Sequence, residues 1–385
     1  MKSNTDLVEI SVVMPCLNEE QTVGVCVQTA LAELADMGVS GEVVVADNGS
    51  TDRSVEIAEA HGARVVHQPI PGYGSAFLKG IAEARGQFVL LGDSDGQHDF
   101  REMDRLIAPL RNGYELVIGN RFDGQEIPGA MPWHHRYIGN PVLTGILNLL
   151  FHTGIHDAHC GMRAFVKEAV EHLDLQATGM EFASEMVILA SRAGLLMTEV
   201  PVTVYPRAET SKAKLRSFRD GWRHLRFMLL HSPDWLFIAP GGTMIGLGLL
   251  LLVTQLFGPV WLGPLYFGLH FMVLGSLLAL LGFQVIGMGV FSKVYAVTRH
   301  FEKRDPLVEW LFMWFNLERG SILGILVFLL GLIINLSILY DWLDAGLDHQ
   351  ERLREAILAM TLMIIGAQIV FSSFYLSILS IRGRE

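Results

Sequence analysis

The turn Gly92-Asp93-Ser94-Asp95-Gly96-Gln97 sets two carboxylates two positions apart directly after an apolar run. Mg²⁺ and Mn²⁺ take oxygen ligands of this kind and fill their remaining positions with phosphates and waters. A merely acidic turn satisfies the same pattern, because Asp and Gly are common turn residues. Two more polar clusters follow apolar runs: Met14-Pro15-Cys16-Leu17-Asn18-Glu19-Glu20 and Asp47-Asn48-Gly49-Ser50-Thr51-Asp52. Helix capping accounts locally for Asn18 and for Ser50 to Asp52, and leaves Asp47 unexplained. His152, His156 and His159 with Cys160 fit no closed zinc spacing, so zinc is rejected and Cys160 is read as a small turn residue.

Short β-branched runs position these clusters. They are EISVVM (9–14), EVVVAD (42–47), ARVVHQ (63–68), QFVLLGD (87–93) and ELVIGN (115–120), with amphipathic stretches such as Glu20 to Met37 and Thr51 to His61 between them. Alternation of this sort predicts βαβ units and a mostly parallel sheet covered on both faces. Ligands of such sheets bind at the carboxyl ends of the strands, where all three clusters fall.

The rest of the chain differs in kind. Of 385 residues, 51% are hydrophobic and 18% charged, and the mean hydropathy is +0.37, too apolar for an ordinary soluble protein. No charge occurs from Trp235 to Ser292, from Gly320 to Tyr340 or from Ala356 to Ile381. A spanning helix needs about 20 apolar residues, so four spans are predicted near 237–257, 267–291, 320–340 and 356–381. The basic residues Lys293, Arg299, Lys303, Arg304 and Arg319 gather in one predicted loop, which places both ends and the first half in the cytoplasm. The start MKSNTDLVEISVVMP lacks the apolar core of a signal peptide. A net charge of −11 offers no basic excess for nucleic acid, and three cysteines form no disulfide framework. The basic run from Lys212 through Lys214, Arg216, Arg219, Arg223 and Arg226 suits anionic headgroups. Trp133, Tyr137, Leu143, Ile146, Leu147, Leu150 and Phe151 make 133–152 a segment for the bilayer surface, although a core helix shows a similar pattern.

The three strand-end clusters together resemble the nucleotide-sugar-binding domain of family-two glycosyltransferases with the GT-A fold, over roughly residues 9–235. The segments Gly119-Asn120-Arg121-Phe122, Pro132 to Asn140 and Asp157-Ala158-His159-Cys160-Gly161-Met162-Arg163 are similar to the polyprenyl-phosphate group, which contains dolichol-phosphate mannose synthase and its bacterial glucosyl relatives. The implied organisation is a GT-A α/β domain over 1–212, a basic juxtamembrane helix over 213–235 and an all-α membrane domain of four helices over 236–385. The resemblance implies that Pro15, Asn18, Glu19 and Asp47 border the base and ribose of the donor, with Asp93 beside the ribose and the metal. It places Asp95 and Gln97 on a Mg²⁺ or Mn²⁺ ion at the diphosphate, and Arg207 and Lys212 on a loop closing over it. Arg121, Arg136 and Arg163 would hold the acceptor phosphate, and Asp157 would act as base or positioning group. Two departures stand out: Asn48 where many members have Asp, and Glu209-Thr210 where a glycine is usual.

The expected reaction is inverting transfer of a hexose, from UDP-glucose first and GDP-mannose next, to polyprenyl or dolichyl phosphate. A processive synthase is disfavoured by the missing Gln-x-x-Arg-Trp pattern. A neutral lipid acceptor would leave the arginines underused, and a non-catalytic scaffold conflicts with the intact acidic residues. Gly241 to Gly248 and Gly282 to Gly289 permit close helix packing and a homo-oligomer.

Overall fold

A computed structural model describes residues 8–125, 127–207, 217–262, 265–298, 306–314, 316–344 and 352–380. It divides into two compact units, Met1–Met228 and Leu229–Glu385. Lys212, Lys214, Arg216, Arg299, Lys303 and Arg304, named above, lie outside the described residues.

The first unit is built on strands β1 (Ile10–Cys16), β2 (Gly41–Asp47), β3 (Arg64–His67), β4 (Phe88–Leu91), β5 (Leu116–Asn120), β6 (Arg163–Val166) and β7 (Met197–Pro201). Helices α1 (Val23–Asp36), α2 (Ser54–Ala60), α3 (Tyr73–Glu83), α4 (Met103–Arg111), α5 (Asn140–Phe151), α6 (Lys167–Glu171) and α7 (Phe182–Ala193) connect them, and α8 (Ser217–Leu230) follows. The seven strands lie in the order β3-β2-β1-β4-β6-β5-β7, and all pairings are parallel except those of β6 with β4 and β5. A sheet buried on both faces needs continuous apolar strands. Val12, Val13, Val43, Val44, Val45, Val89, Leu90 and Leu91 meet that need, each 1% exposed or less.

Register then aligns the strand ends. Cys16 is level with Asp47, and Asp47 with His67, so the loops after β1, β2 and β3 open at one edge. The chain winds outward from β1 through β2 to β3, then crosses to place β4 on the other side of β1. That reversal opens the crevice where open α/β sheets bind ligands. Helix α2 starts at Ser54, later than capping at Ser50 or Thr51 predicts; Asp52 instead accepts bonds from the Ser54 amide and hydroxyl.

The second unit contains four helices long and apolar enough to cross a membrane, spanning Asp234–Leu256, Leu269–Thr298, Leu317–Asp344 and Leu353–Leu379. Their regular α-helical parts are α9 (Ala239–Leu256), α10 (Leu269–Thr298), α12 (Leu317–Asp344) and α13 (Leu353–Ser380). A β8–β9 hairpin (Val260–Leu262, Leu265–Phe267) and α11 (Pro306–Trp314) connect them. A Cβ on Gly282 would lie 2.6 Å from the Gly241 carbonyl, and one on Gly241 2.9 Å from the Gly282 carbonyl. The backbones of α9 and α10 are therefore in contact, as small residues allow between membrane helices. Lys293 does not fall in a loop: α10 continues to Thr298, and the ammonium meets Asp234 at 2.6 Å.

Candidate active site

The acidic turn leaves β4 beside the end of β1. Ser94 Oγ donates to the Pro15 carbonyl at 2.6 Å, and Thr22 Oγ1 donates to the Ser94 carbonyl at 2.7 Å. These bonds hold the Asp93–Asp95 segment against the β1 loop. Asp95 is buried, and that burial together with the neighbouring Asp93 charge pushes its carboxyl above the ordinary range. Arg207 answers this charge: Nη2 lies 2.9 Å from Asp95 Oδ2, while Nε donates to Gln97 Oε1 at 2.8 Å. Gln97 Nε2 in turn donates to the carbonyls of Ala130 and Tyr205, which fixes the amide so that its oxygen faces the guanidinium. Asp93 accepts from the Tyr73 hydroxyl at 3.0 Å. Gly161 packs so tightly that a Cβ there would stand 2.7 Å from Asp93 Oδ2.

Among the described residues no cluster of three or more His, Cys, Asp or Glu side chains is gathered for a metal. Two carboxylates and an amide oxygen are a partial, hard donor set, which fits a Mg²⁺ or Mn²⁺ ion completed by diphosphate and water. The arginine resting on two of these oxygens shows that they draw a cation.

At the β1 and β2 ends, Asn18 takes a positive φ of 54° and accepts the Thr51 amide at 2.7 Å. The Asn18 and Glu19 amides donate to Ser50 Oγ and Ser54 Oγ. Asp47 accepts the Gly49 and Ser50 amides, and His67 Nδ1 lies 3.2 Å from it. Burial opposes its charge, but the Ser50 bonds, His67 and Gly49 prevail and hold its carboxyl below the ordinary range. Asn48 uses its amide fully, donating to the Gln68 and Ile70 carbonyls and accepting from the Gly72 amide. An aspartate could not make the first two bonds, which accounts for the departure from the family pattern.

Beyond β5, Arg121 and Asp157 form a bidentate pair at 2.7 and 2.8 Å, and Asp157 also accepts the Arg121 amide. Asp157 is 0% exposed. Burial would raise its carboxyl, but Arg121 prevails and holds it below the ordinary range. Glu199 on β7 fixes this segment by accepting the His156 and Asp157 amides. Arg136 stands half-buried with its guanidinium 5.6 Å from the Tyr137 ring centre, in a segment whose Trp133 and Tyr137 are 68% and 69% exposed.

The structure corrects the expectation for Arg163. At 1% exposure it donates to the carbonyls of Ala158, Cys160 and Ala183, so it builds the 157–163 turn and offers no guanidinium to an acceptor. Lys212 lies outside the described residues. Tyr73, Glu199 and His224 were not singled out as functional from sequence. Tyr73 carries a weak signal as a tyrosine between two glycines, and Glu199 and His224 carry none.

An acidic turn at the sheet's switch point, a buried Arg–Asp pair nearby and a second unit of membrane-length helices define the class, a glycosyltransferase with a membrane region. Residues 11–174 match the model of Glycosyl transferase family 2, and residues 290–380 match the Glycosyltransferase family 2 C-terminal transmembrane region. The low-salt glycan biosynthesis hexosyltransferase Agl6 of Haloferax volcanii is 41% identical over 368 residues, covering 95% of this chain and 88% of that protein. A dolichyl-phosphate hexose transferase of the same organism is 30% identical over 215 residues, covering 55% of this chain and 89% of its own. The glucosyl-3-phosphoglycerate synthase of Mycobacterium tuberculosis, solved with Mn²⁺, uridine-diphosphate-glucose and phosphoglyceric acid, is 26% identical with a TM-score of 0.47, covering 58% of this chain and 79% of that one. The chain belongs to glycosyltransferase family 2.

Proposed function

We propose that the protein transfers a hexose from a nucleotide sugar, UDP-glucose first and GDP-mannose next, to polyprenyl phosphate at the cytoplasmic face of a membrane, with inversion. The observation that carries this reading is the gathering of Asp93, Asp95, Gln97 and Arg207 within one sheet edge that also bears the Arg121–Asp157 pair. The name of the dolichyl-phosphate hexose transferase relative and the four apolar helices support a lipid acceptor.

In this reading Asn18, Glu19 and Asp47, with Pro15, border the nucleoside. Asp93, Asp95 and Gln97 would hold a divalent ion, which would supply charge compensation for the departing diphosphate. Arg207, already on that oxygen set, and Lys212 are the cations this reading assigns to the diphosphate. A phosphate oxygen of the acceptor forms a bond to the anomeric carbon as the bond to the diphosphate breaks, through an oxocarbenium-like state. That nucleophile is ionised at neutral pH and has no proton to lose. Asp157, held below the ordinary carboxylate range with both oxygens on Arg121, accordingly positions the guanidinium and takes up no proton. Arg121 and Arg136 bring the acceptor anion towards the donor.

The test uses the detergent-purified full chain with polyprenyl phosphate, Mg²⁺ or Mn²⁺, and UDP-glucose, UDP-galactose, UDP-N-acetylglucosamine or GDP-mannose in turn. A glycolipid formed together with nucleoside diphosphate, from one donor only, supports the reading. Binding of nucleotide without release from any donor overturns it.

A further inference from the structure

Helix α10 is covered on two of its sides. Towards α9 the cover is glycine packing: besides the Gly241–Gly282 contact, a Cβ on Gly248 would lie 2.6 Å from the Ala279 amide nitrogen. Towards α13 the Ser276 and Thr361 hydroxyls meet at 2.7 Å, and the Phe291 and Tyr375 rings pack edge to face with centres 4.7 Å apart. The third side faces outward. Leu274, Leu277, Leu281, Gln284, Met288 and Tyr295 lie along it, all exposed, at alternating intervals of three and four residues and a full heptad before the last. Such a 3.5-residue repeat keeps one stripe of a helix against a second helix. Gly241, Gly248 and Gly282, which as sequence could have served an oligomer, are already used within the chain, and this stripe lies apart from them.

The chemistry of the stripe decides what covers it. Leucine and methionine suit lipid tails as well as they suit protein, so the apolar positions alone decide nothing. Gln284 does. It stands exposed at the middle of a 30-residue helix of membrane-crossing length. Among the described residues its carboxamide has no hydrogen-bond partner. Thr243, Thr254 and Ser337 are exposed too, but they turn their hydroxyls back onto carbonyls of their own helices. An unpaired carboxamide facing hydrocarbon is costly, because no water is there to take its bonds. A carboxamide both donates and accepts, so an identical one at the same depth is its complement: each N–H donates to the oxygen of the other. A two-fold axis along the membrane normal brings about that meeting, and a lone polar residue in an apolar seam fixes its register.

We propose that the protein dimerises through α10, with the two copies of the helix parallel and the carboxamide of Gln284 bonded to its counterpart in the second copy. The inference stands apart from the transfer reaction and needs no substrate.

Association of the full chain is measured in lipid vesicles by energy transfer between donor- and acceptor-labelled copies over a series of protein-to-lipid ratios. Gln284→Leu keeps the bulk and removes the amide, and it should weaken association roughly tenfold. Gln284→Asn, which keeps a donor and an acceptor, should retain most of it. Both variants should melt within about 2 °C of wild type, since Gln284 holds nothing in its own chain. A second measurement leaves Gln284 in place. Single cysteines at Leu281 or Met288 should cross-link copy to copy under a mild oxidant, and one at Leu326 on the exposed face of α12 should not; the chain's own Cys16, Cys26 and Cys160 are buried. A wild type that stays monomeric at every ratio overturns the inference and leaves lipid as the cover of this face. Association untouched by Gln284→Leu, or a cross-link at Leu326 as strong as at Leu281, overturns it in favour of another contact.

Discussion

Asn48 shows how a single amide can hold a loop in place. Its three bonds join the end of β2 to residues 68–72, ahead of α3 and Tyr73. Asn48→Asp would restore a residue common in the family yet replace two donors by acceptors facing carbonyls. We expect a loss of about 2 kcal/mol in stability, read as a lowered melting temperature, with weaker donor binding. Arg163 is the reverse case. The resemblance placed it on an acceptor phosphate, and burial against three carbonyls makes it a structural residue. Arg163→Met should cost roughly 3 kcal/mol by stranding those carbonyls, while the acceptor KM of the folded protein stays unchanged. Asp157 gives a pH prediction. Its depressed folded value means that its contribution to stability is present above the ordinary Asp range near ~3.9 and is lost as pH falls through the folded value. Asp157→Asn should therefore flatten the acid limb of a melting-temperature profile; an unchanged limb would show that the pair with Arg121 contributes nothing. Residue types after the strands were legible in the sequence because strand ends are where polar clusters interrupt apolar runs. The partners of Arg163 and Asn48 were not, because they are backbone groups, whose placement leaves no mark in residue type.

At the scale of elements, five of the seven strands follow from their apolar runs, and the two that do not have physical reasons. Strand β6 is four residues, RAFV, with a guanidinium at its start, and runs antiparallel between β4 and β5. Strand β7, MTEVP, is half-exposed at the sheet edge and ends in proline, which edge strands tolerate. Neither has the periodicity or the continuous apolar run that marks a strand. The missed strand β7 carries Glu199 and so sets the position of Asp157. In the second unit, charge-free runs marked the four helices but stopped short of their ends. Helix α10 runs past Lys293, whose charge is matched by Asp234. The contact of α9 with α10 is a stronger constraint than apolarity alone. Gly282→Val would force a side chain against the Gly241 carbonyl, and we expect the melting temperature in detergent to fall by the equivalent of about 2 kcal/mol, with Gly282→Ala intermediate.

For the molecule as a whole, four helices of crossing length are an even number, so a chain that used all four would end on the side from which it entered. The proposed cytoplasmic placement of the first unit rests on basic residues such as Arg299, Lys303 and Arg304, and if it holds, cysteine labelling at those positions and near Gly258 should report opposite faces. The chemistry of the first unit has its own requirement, since an acidic turn must persist between turnovers. Because Arg207 sits on Asp95 and Gln97, the protein carries an internal counter-ion for its acidic turn. The fold is thereby stable without an ion: a chelator should stop turnover yet lower the melting temperature by no more than about 2 °C, a shift of less than 1 kcal/mol. In the proposed reaction a divalent ion would have to displace this guanidinium from Asp95 and Gln97, so its affinity would carry the cost of breaking the two Arg207 contacts.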